Sequence, residues 1–272
     1  RLSWTARRMS EAATPAVEIH PTAVVDPAAE LGVGVRVGAY AVIGPHVRVG
    51  AGTTIGPHVF LDGWTQVGER CQIHHSAVIG TPPQDLKFRE VRSHVHIGDR
   101  TVIREFASVN RATGEDEVTR IGSDVYVMMY AHIAHNCSIG DHVILANVVE
   151  LAGHVTIEDW ASIGGVTPIH QFVRVGRHSF VGGMSRVAQD VPPYVRAAGN
   201  PLSISGINRV GLERRGFSPD DIRRIKQIYR LLYRSNLNVT QALDRIERDL
   251  AGVAEAEEMV RFVRESSRGI TK

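Results

Sequence analysis

Val37-Gly38-Ala39-Tyr40-Ala41-Val42-Ile43-Gly44-Pro45-His46-Val47-Arg48-Val49-Gly50-Ala51-Gly52-Thr53-Thr54-Ile55-Gly56 is one six-residue phrase repeated: aliphatic, glycine, two variable residues, then a small or β-branched residue. Counting outward in sixes gives Ile19, Val25 and Leu31 before it, and Leu61, Val67, Ile73 and Ile79 after it. The count resumes at Ile97 and holds to Val187, and from 19 to 187 only Asp85 and Glu115 are not aliphatic. A helix needs apolar spacing near 3.6, and a two-sided strand alternates with period two. Six fits neither. It fits a short strand and a turn, three to a coil of eighteen residues, with coils stacked about 4.8 Å apart. A β-sandwich, with turns of varied length, would lose the phase within a few strands. The aliphatic residue is expected to point inward, the small residue to let the corner close, and the glycine to serve a turn at positive φ.

The expected fold class is an all-β solenoid, a parallel β-helix of hexapeptide repeats, followed by a small α-helical C-terminal domain. Residues 1–16 read as an N-terminal extension expected to be flexible, with Met9 a plausible native start. Residues 17–195 form the β-helix, 196–217 a connecting segment and 218–272 the helical domain. Two stretches break the repeat, near 81–96 and 111–120, and read as loops thrown out from the coil. Loops on a rigid scaffold commonly carry binding residues. Ser218-Pro219-Asp220-Asp221 is a helix start, with serine as N-cap, proline at the first position and acids in the first turn. Ile222, Ile225, Tyr229 and Leu232 give that helix an apolar face. Leu243, Ile246 and Leu250 suggest a second helix, and Met259, Val260 and Val263 a third.

Of 272 residues, 31 are Lys or Arg and 29 Asp or Glu, a formal net charge of +2. Such a balance gives no reason to expect nucleic acid. No apolar run approaches the ~20 residues of a membrane span, and residues 1–9 lack the apolar core of a signal peptide. A cytoplasmic protein is expected. Cys71 and Cys137 fall at the small-residue position of their units and read as buried free thiols in a reducing compartment, ahead of a disulfide or a metal pair. Arg223, Arg224, Lys226, Arg230 and Arg234 read as a solvated helix face or as a docking surface for an acidic carrier protein.

The coil of eighteen makes residues n and n+18 vertical neighbours. His135, Gly153 and Gln171 then share one column, and Asn136, His154 and Phe172 the next. An imidazole beside a bare backbone suits acyl transfer, since the base takes a proton from the nucleophile and an N–H can approach the oxyanion. The chain has 13 histidines. His46, His58, His142 and His178 sit at outward positions where a solvated ring is the ordinary reading. His132 and His170 lie close in sequence to the stacked group and strengthen the case for His135.

Three motifs from that region, Ala131-His132-Ile133-Ala134-His135-Asn136-Cys137, Leu151-Ala152-Gly153-His154-Val155 and Ile169-His170-Gln171-Phe172, resemble the UDP-N-acetylglucosamine O-acyltransferases that begin lipid A biosynthesis. Gln84-Asp85-Leu86-Lys87, Gln189-Asp190-Val191-Pro192-Pro193-Tyr194 and Arg214-Arg215-Gly216-Phe217 carry the same resemblance, which covers nearly the whole chain. It implies a left-handed coil, an exception to the usual crossover hand. It further implies that His135 is the general base activating the sugar 3-hydroxyl for attack on a 3-hydroxyacyl thioester of acyl carrier protein. Gly153 would donate its N–H to the oxyanion. Asp85, Lys87, His132, His154, His170 and Gln171 would surround the sugar, diphosphate and acyl chain. Asn208, Arg214 and Arg215 would hold the nucleotide, guanidinium being apt for phosphate. No metal or cofactor is implied. The family is a homotrimer with sites between subunits, so Asp85 and Lys87 would serve a neighbour's His135.

Asn136 stands where many relatives carry Asp, so carboxylate support of a protonated His135 is expected to be lost. Pro201 in Gly199-Asn200-Pro201 replaces a histidine, and Val210 an acid often found in relatives. Three other readings stand beside the O-acyltransferase. One is a hexapeptide acyltransferase acting on a 3-amino sugar nucleotide. Another is a zinc enzyme, which needs three imidazoles converging from facing chains. The last is a non-catalytic β-helix scaffold.

Overall fold

The computed structural model describes residues 16–272, so the expectations for Met9 and nearly all of the N-terminal extension lie outside the described residues. Short strands, most of two residues, pair in parallel into three sheets of eleven, eight and eight strands. Ile19 pairs with Val37, Val37 with Ile55 and Ile55 with Ile73, each eighteen residues on. From Val37 onward the aliphatic position of the coil units faces inward: Ile43, Ile55, Leu61, Ile79, Ile103, Ile133, Leu145, Ile157 and Val181 are all buried in one continuous core. The small position is buried too, at Ala41, Val47, Val59, Cys71 and Cys137 among others. Both cysteines are free. Burial raises the pKa of each thiol, and that of Cys137 is pushed up to about 12.

Gly34 and Gly52 take the positive φ expected of a turn, but the glycines directly after the aliphatic position do a different job. Positive φ falls three residues after the aliphatic position, and side chains such as Tyr40, His58, Val148 and Val166 adopt it there. The N–H of that residue donates to a carbonyl of the preceding coil, as in His58 to Ala39 at 2.9 Å and His142 to Ser123 at 3.0 Å. Repeated interlayer bonds thus hold a conformation that costs an L-residue about 1 kcal/mol. The glycine directly after the aliphatic residue meets the next coil instead. A Cβ on Gly38 would sit 2.8 Å from the Gly56 carbonyl carbon, and one on Gly50 would sit 2.6 Å from that of Gly68.

Both interruptions are loops, narrower than the sequence suggested. Strand pairing jumps from His94 back to Trp64, thirty residues, and from Val118 back to His94, twenty-four. The inserts are therefore twelve and six residues long, multiples of six, and so the count survived them. His94–Ile97 and Val118–Ile121 are already strand, so the loops proper are 82–93 and 111–117. Val91 keeps the count but lies in the first loop and adds nothing to the coil core. Arg111 anchors that loop. It is buried, pairs with Glu90, donates to the Val91 carbonyl at 2.6 Å and lies over the rings of Trp64 and Phe88.

The connecting segment is structured. Val195–Ala198 continues the largest sheet and turns into an antiparallel strand, Ser203–Ile207, that closes its edge. Helix α1, Arg209–Arg214, follows, too short for an apolar period to reveal. Helices α2 (Pro219–Tyr233), α3 (Val239–Asp249) and α4 (Ala254–Arg264) pack around a second core that includes Ile225, Ile228, Ile246, Met259 and Phe262. Ser218 and Asp221 form a reciprocal capping box. The buried Tyr194 hydroxyl donates to Glu258 of α4, and Arg177 lies 3.5 Å from the same carboxylate, tying helices to coil.

Candidate active site

The corner after Ile133 brings the expected column together. The His135 carbonyl accepts from the His154 N–H at 3.0 Å, and the Gly153 carbonyl from the Phe172 N–H at 3.2 Å. His135 and His154 meet edge to face at 5.2 Å, and His154 stacks on Phe172 at 4.7 Å. The His135 ring covers Gly153 so closely that a Cβ there would lie 2.4 Å from Cε1 and 2.6 Å from Nε2. A side chain at 153 would have to displace the imidazole, which already occupies that space. Among the described residues the Gly153 N–H has no hydrogen-bond partner, so it is free to donate.

His135 is held from its other side. Its Nδ1 lies 2.9 Å from Asn136 Oδ1, which also accepts from the Thr113 N–H at 3.1 Å and the Thr113 hydroxyl at 2.9 Å. Asn136 Nδ2 donates to Glu117 Oε2 at 2.7 Å, and Glu117 takes the Gly114 N–H at 2.9 Å. Carboxylate support expected to be lost with Asn136 is instead one amide away. Glu117 was not singled out from the sequence, although stepping eighteen residues back from His135 lands on it. Assigning 111–120 to a loop hid that neighbour.

His132 lies on the preceding strand with Nδ1 2.8 Å from the Ser108 hydroxyl. Burial lowers its pKa, and the nearby His135 lowers it further. His154 is lowered by the same two causes, in the same order, with Glu117 opposing. Both rings are thus biased toward the neutral form, which donates or accepts a hydrogen bond without bringing a second cation to the site. His170 and Gln171 are exposed on the next coil, His170 Nδ1 lying 3.1 Å from the Gln171 carbonyl. Asp85 and Lys87 form a turn in the 82–93 loop, Asp85 Oδ1 accepting the Lys87 N–H at 2.9 Å. No hydrogen bond among the described residues joins them to the His135 group. No three His, Cys, Asp or Glu side chains converge as a metal site among the described residues of this one chain.

The nucleotide candidates sit at the far end of another corner. Asn208 caps α1, accepting from the Gly211 N–H at 3.2 Å and donating to the His178 carbonyl at 2.9 Å, so both ends of its amide are engaged. Arg215 lies over Trp160 at 5.3 Å, with Nη1 3.3 Å from His178 Nδ1, and burial lowers its pKa. Neither Arg214 nor Arg215 has a carboxylate partner among the described residues, so both charges are available to an anion. Trp160, His178 and Tyr194 stack in register beneath Arg215. Val210 is exposed.

Residues 190–271 match the family model described as domain 2 of UDP-N-acetylglucosamine O-acyltransferase. Residues 28–63 and 119–153 match the six-repeat bacterial transferase hexapeptide. An acyl-[acyl-carrier-protein]–UDP-N-acetylglucosamine O-acyltransferase of Burkholderia lata is 51% identical over 260 residues, 93% of this chain and 99% of the relative. Among solved structures, LpxA from Acinetobacter baumannii is similar at TM-score 0.90 and 41% identity, covering 93% of this chain and 99% of that one. The UDP-N-acetylglucosamine acyltransferase of Francisella novicida gives TM-score 0.90 at 36% identity, covering 93% of both chains.

Proposed function

The chain belongs to the acyl-[acyl-carrier-protein]–UDP-N-acetylglucosamine O-acyltransferase family, whose coil is the left-handed parallel β-helix, and from that premise we propose both its reaction and the residues that perform it. It transfers a 3-hydroxyacyl chain from the thioester of acyl carrier protein to the 3-hydroxyl of UDP-N-acetylglucosamine, opening lipid A biosynthesis in the cytoplasm. His135 Nε2 takes the hydroxyl proton as the sugar oxygen attacks the thioester carbonyl. The tetrahedral oxyanion is stabilised by the Gly153 N–H. Collapse of that intermediate breaks the carbon–sulfur bond, and the imidazolium returns its proton to the departing thiolate.

The observation that supports this most is the His135 ring seated on a side-chain-free Gly153, with Nδ1 already bonded. That leaves one nitrogen for the substrate and one free N–H beside it. His132, His154, His170 and Gln171 line the acceptor's sugar, and Arg214 and Arg215 take the diphosphate, with Asn208 holding their helix in place. Asp85 and Lys87 act on the His135 of the adjacent subunit in a homotrimer. The exposed apolar column Phe106, Tyr130, Val148, Val166 and Met184 supplies a face for that assembly, since such a column is seldom left in water.

The test is an acylation assay with acyl carrier protein thioesters, offered UDP-N-acetylglucosamine or its 3-amino analogue. H135A is expected to stay folded and oligomeric while losing nearly all turnover. Retained turnover in H135A would overturn the mechanism, and turnover of the 3-amino acceptor alone would move the acceptor to the amine.

A further inference from the structure

Asn136 is the hinge of a hydrogen-bond chain whose direction can be fixed without seeing a proton. The Thr113 N–H can only donate, so the Asn136 atom it meets at 3.1 Å must be the carbonyl oxygen. The Glu117 carboxylate can only accept, so the atom 2.7 Å from it must be the amide nitrogen. With both ends assigned by partners, Oδ1 faces His135, and Nδ1 of His135 must be the donor at 2.9 Å. The neutral imidazole then keeps its lone pair on Nε2.

Glu117 is held for this task. The Gly114 N–H fixes its carboxylate at 2.9 Å, and it has no Lys or Arg partner among the described residues. The neighbouring Asp116 accepts from Nε and Nη2 of Arg92, at 2.7 and 2.9 Å, and lies 3.3 Å from His94 Nε2. That clamp fastens loop 111–117 to the end of loop 82–93 and to the first residue of the strand that follows, His94–Ile97, and so restrains Glu117 beside Asn136.

We propose that Glu117 is the positioning carboxylate of this site, acting on His135 through the Asn136 amide to hold the proton on Nδ1 and to stabilise the imidazolium formed in turnover. This rests on His135 being the general base. The one-hexad insert is then part of the chemistry, delivering a charge that the adjacent corner residue does not carry. A charge-assisted hydrogen bond is worth about 1.5–3 kcal/mol, which corresponds to roughly 10- to 100-fold in rate.

Charge transposition tests it. E117Q is expected to lower kcat by about 10- to 100-fold while KM for UDP-N-acetylglucosamine stays within about twofold. N136D alone is also expected to be impaired, because it sets a second carboxylate against Glu117. Asp tolerates the positive φ of position 136 as Asn does. The double variant E117Q/N136D places the one carboxylate directly on Nδ1 and is expected to regain activity to within about threefold of the parent, where independent packing losses would add. Nitrogen-15 NMR of the histidine rings in the unsubstituted protein is expected to find His135 protonated on Nδ1, which stands even if a variant fails to fold. Full kcat in E117Q, additive losses in the double variant, or a proton on Nε2 each overturn the relay. An inactive H135A together with additive losses sinks the relay alone, whereas an active H135A sinks the base assignment beneath it.

Discussion

Gly153 and His135 constrain each other, and the smallest possible change separates them. In G153A the new methyl meets the ring 2.4 Å from Cε1, so the imidazole must swing away or the coil must open. A displacement near 1 Å at a reacting atom costs about 100-fold. The expected outcome is a fall of that order in kcat with an unchanged circular-dichroism spectrum, and activity near the parent's would show that the ring is not seated there during turnover. His178 makes a different residue-scale claim. Burial lowers its pKa to about 4, with Arg215 and Arg177 adding to the effect. The folded protein therefore keeps the ring neutral, while the unfolded chain takes a proton below about pH 6.5. Its contribution to stability is complete above that pH and is lost as pH falls from about 6.5 to 4, by up to about 3 kcal/mol. Melting temperature should drop through that window, and H178F should flatten the drop; an identical slope in both proteins would remove His178 as the cause.

Elements here are so short that they owe their stability to what lies above and below, which makes the corner glycines unequal. Gly52 already sits at φ +69, and an added Cβ meets only the Arg70 Cγ at 3.4 Å. Gly50 lies on the stacking line, and its Cβ would meet Gly68 backbone at 2.6 Å. G52A is expected to cost about 1 kcal/mol for the left-handed backbone, while G50A should cost more than about 2 kcal/mol, because backbone cannot move aside. Denaturant midpoints of the two variants decide it, and the reverse order would refute the account of the repeat given above. The inward count was readable because one position in six is buried in every coil, from Ile43 to Val187. The role of glycines such as Gly38 and Gly50 is not legible in the sequence, because period alone does not distinguish a turn that needs positive φ from a layer that needs closeness. Likewise the column of His135 and Gly153 was legible upward, where the coils are regular. Downward it was obscured at Glu117, where an insert of six preserves the phase but adds residues that leave the coil.

At the scale of the molecule, the reading proposed above divides each site between two chains, and that division can be tested. Asp85 and Lys87 lie on a loop that Arg111 fastens to the coil, and no hydrogen bond among the described residues carries them to their own chain's His135. If each site takes His135 from one subunit and Lys87 from the next, two inactive proteins should repair each other. H135A supplies intact Lys87 and K87A supplies intact His135. In trimers assembled at random from equal amounts by co-expression, half the positions carry each intact residue. About one site in four then receives both. Activity per site should rise from near zero in either parent to about a quarter of the unsubstituted protein. If both residues serve the same chain, no subunit in the mixture holds an intact pair, and activity stays at the level of the parents. The apolar column supplies the control. M184K or V148E places a charge on the exposed face and should shift sedimentation toward the monomer. The same change should abolish complementation, since a lone chain has no neighbour to lend it Lys87.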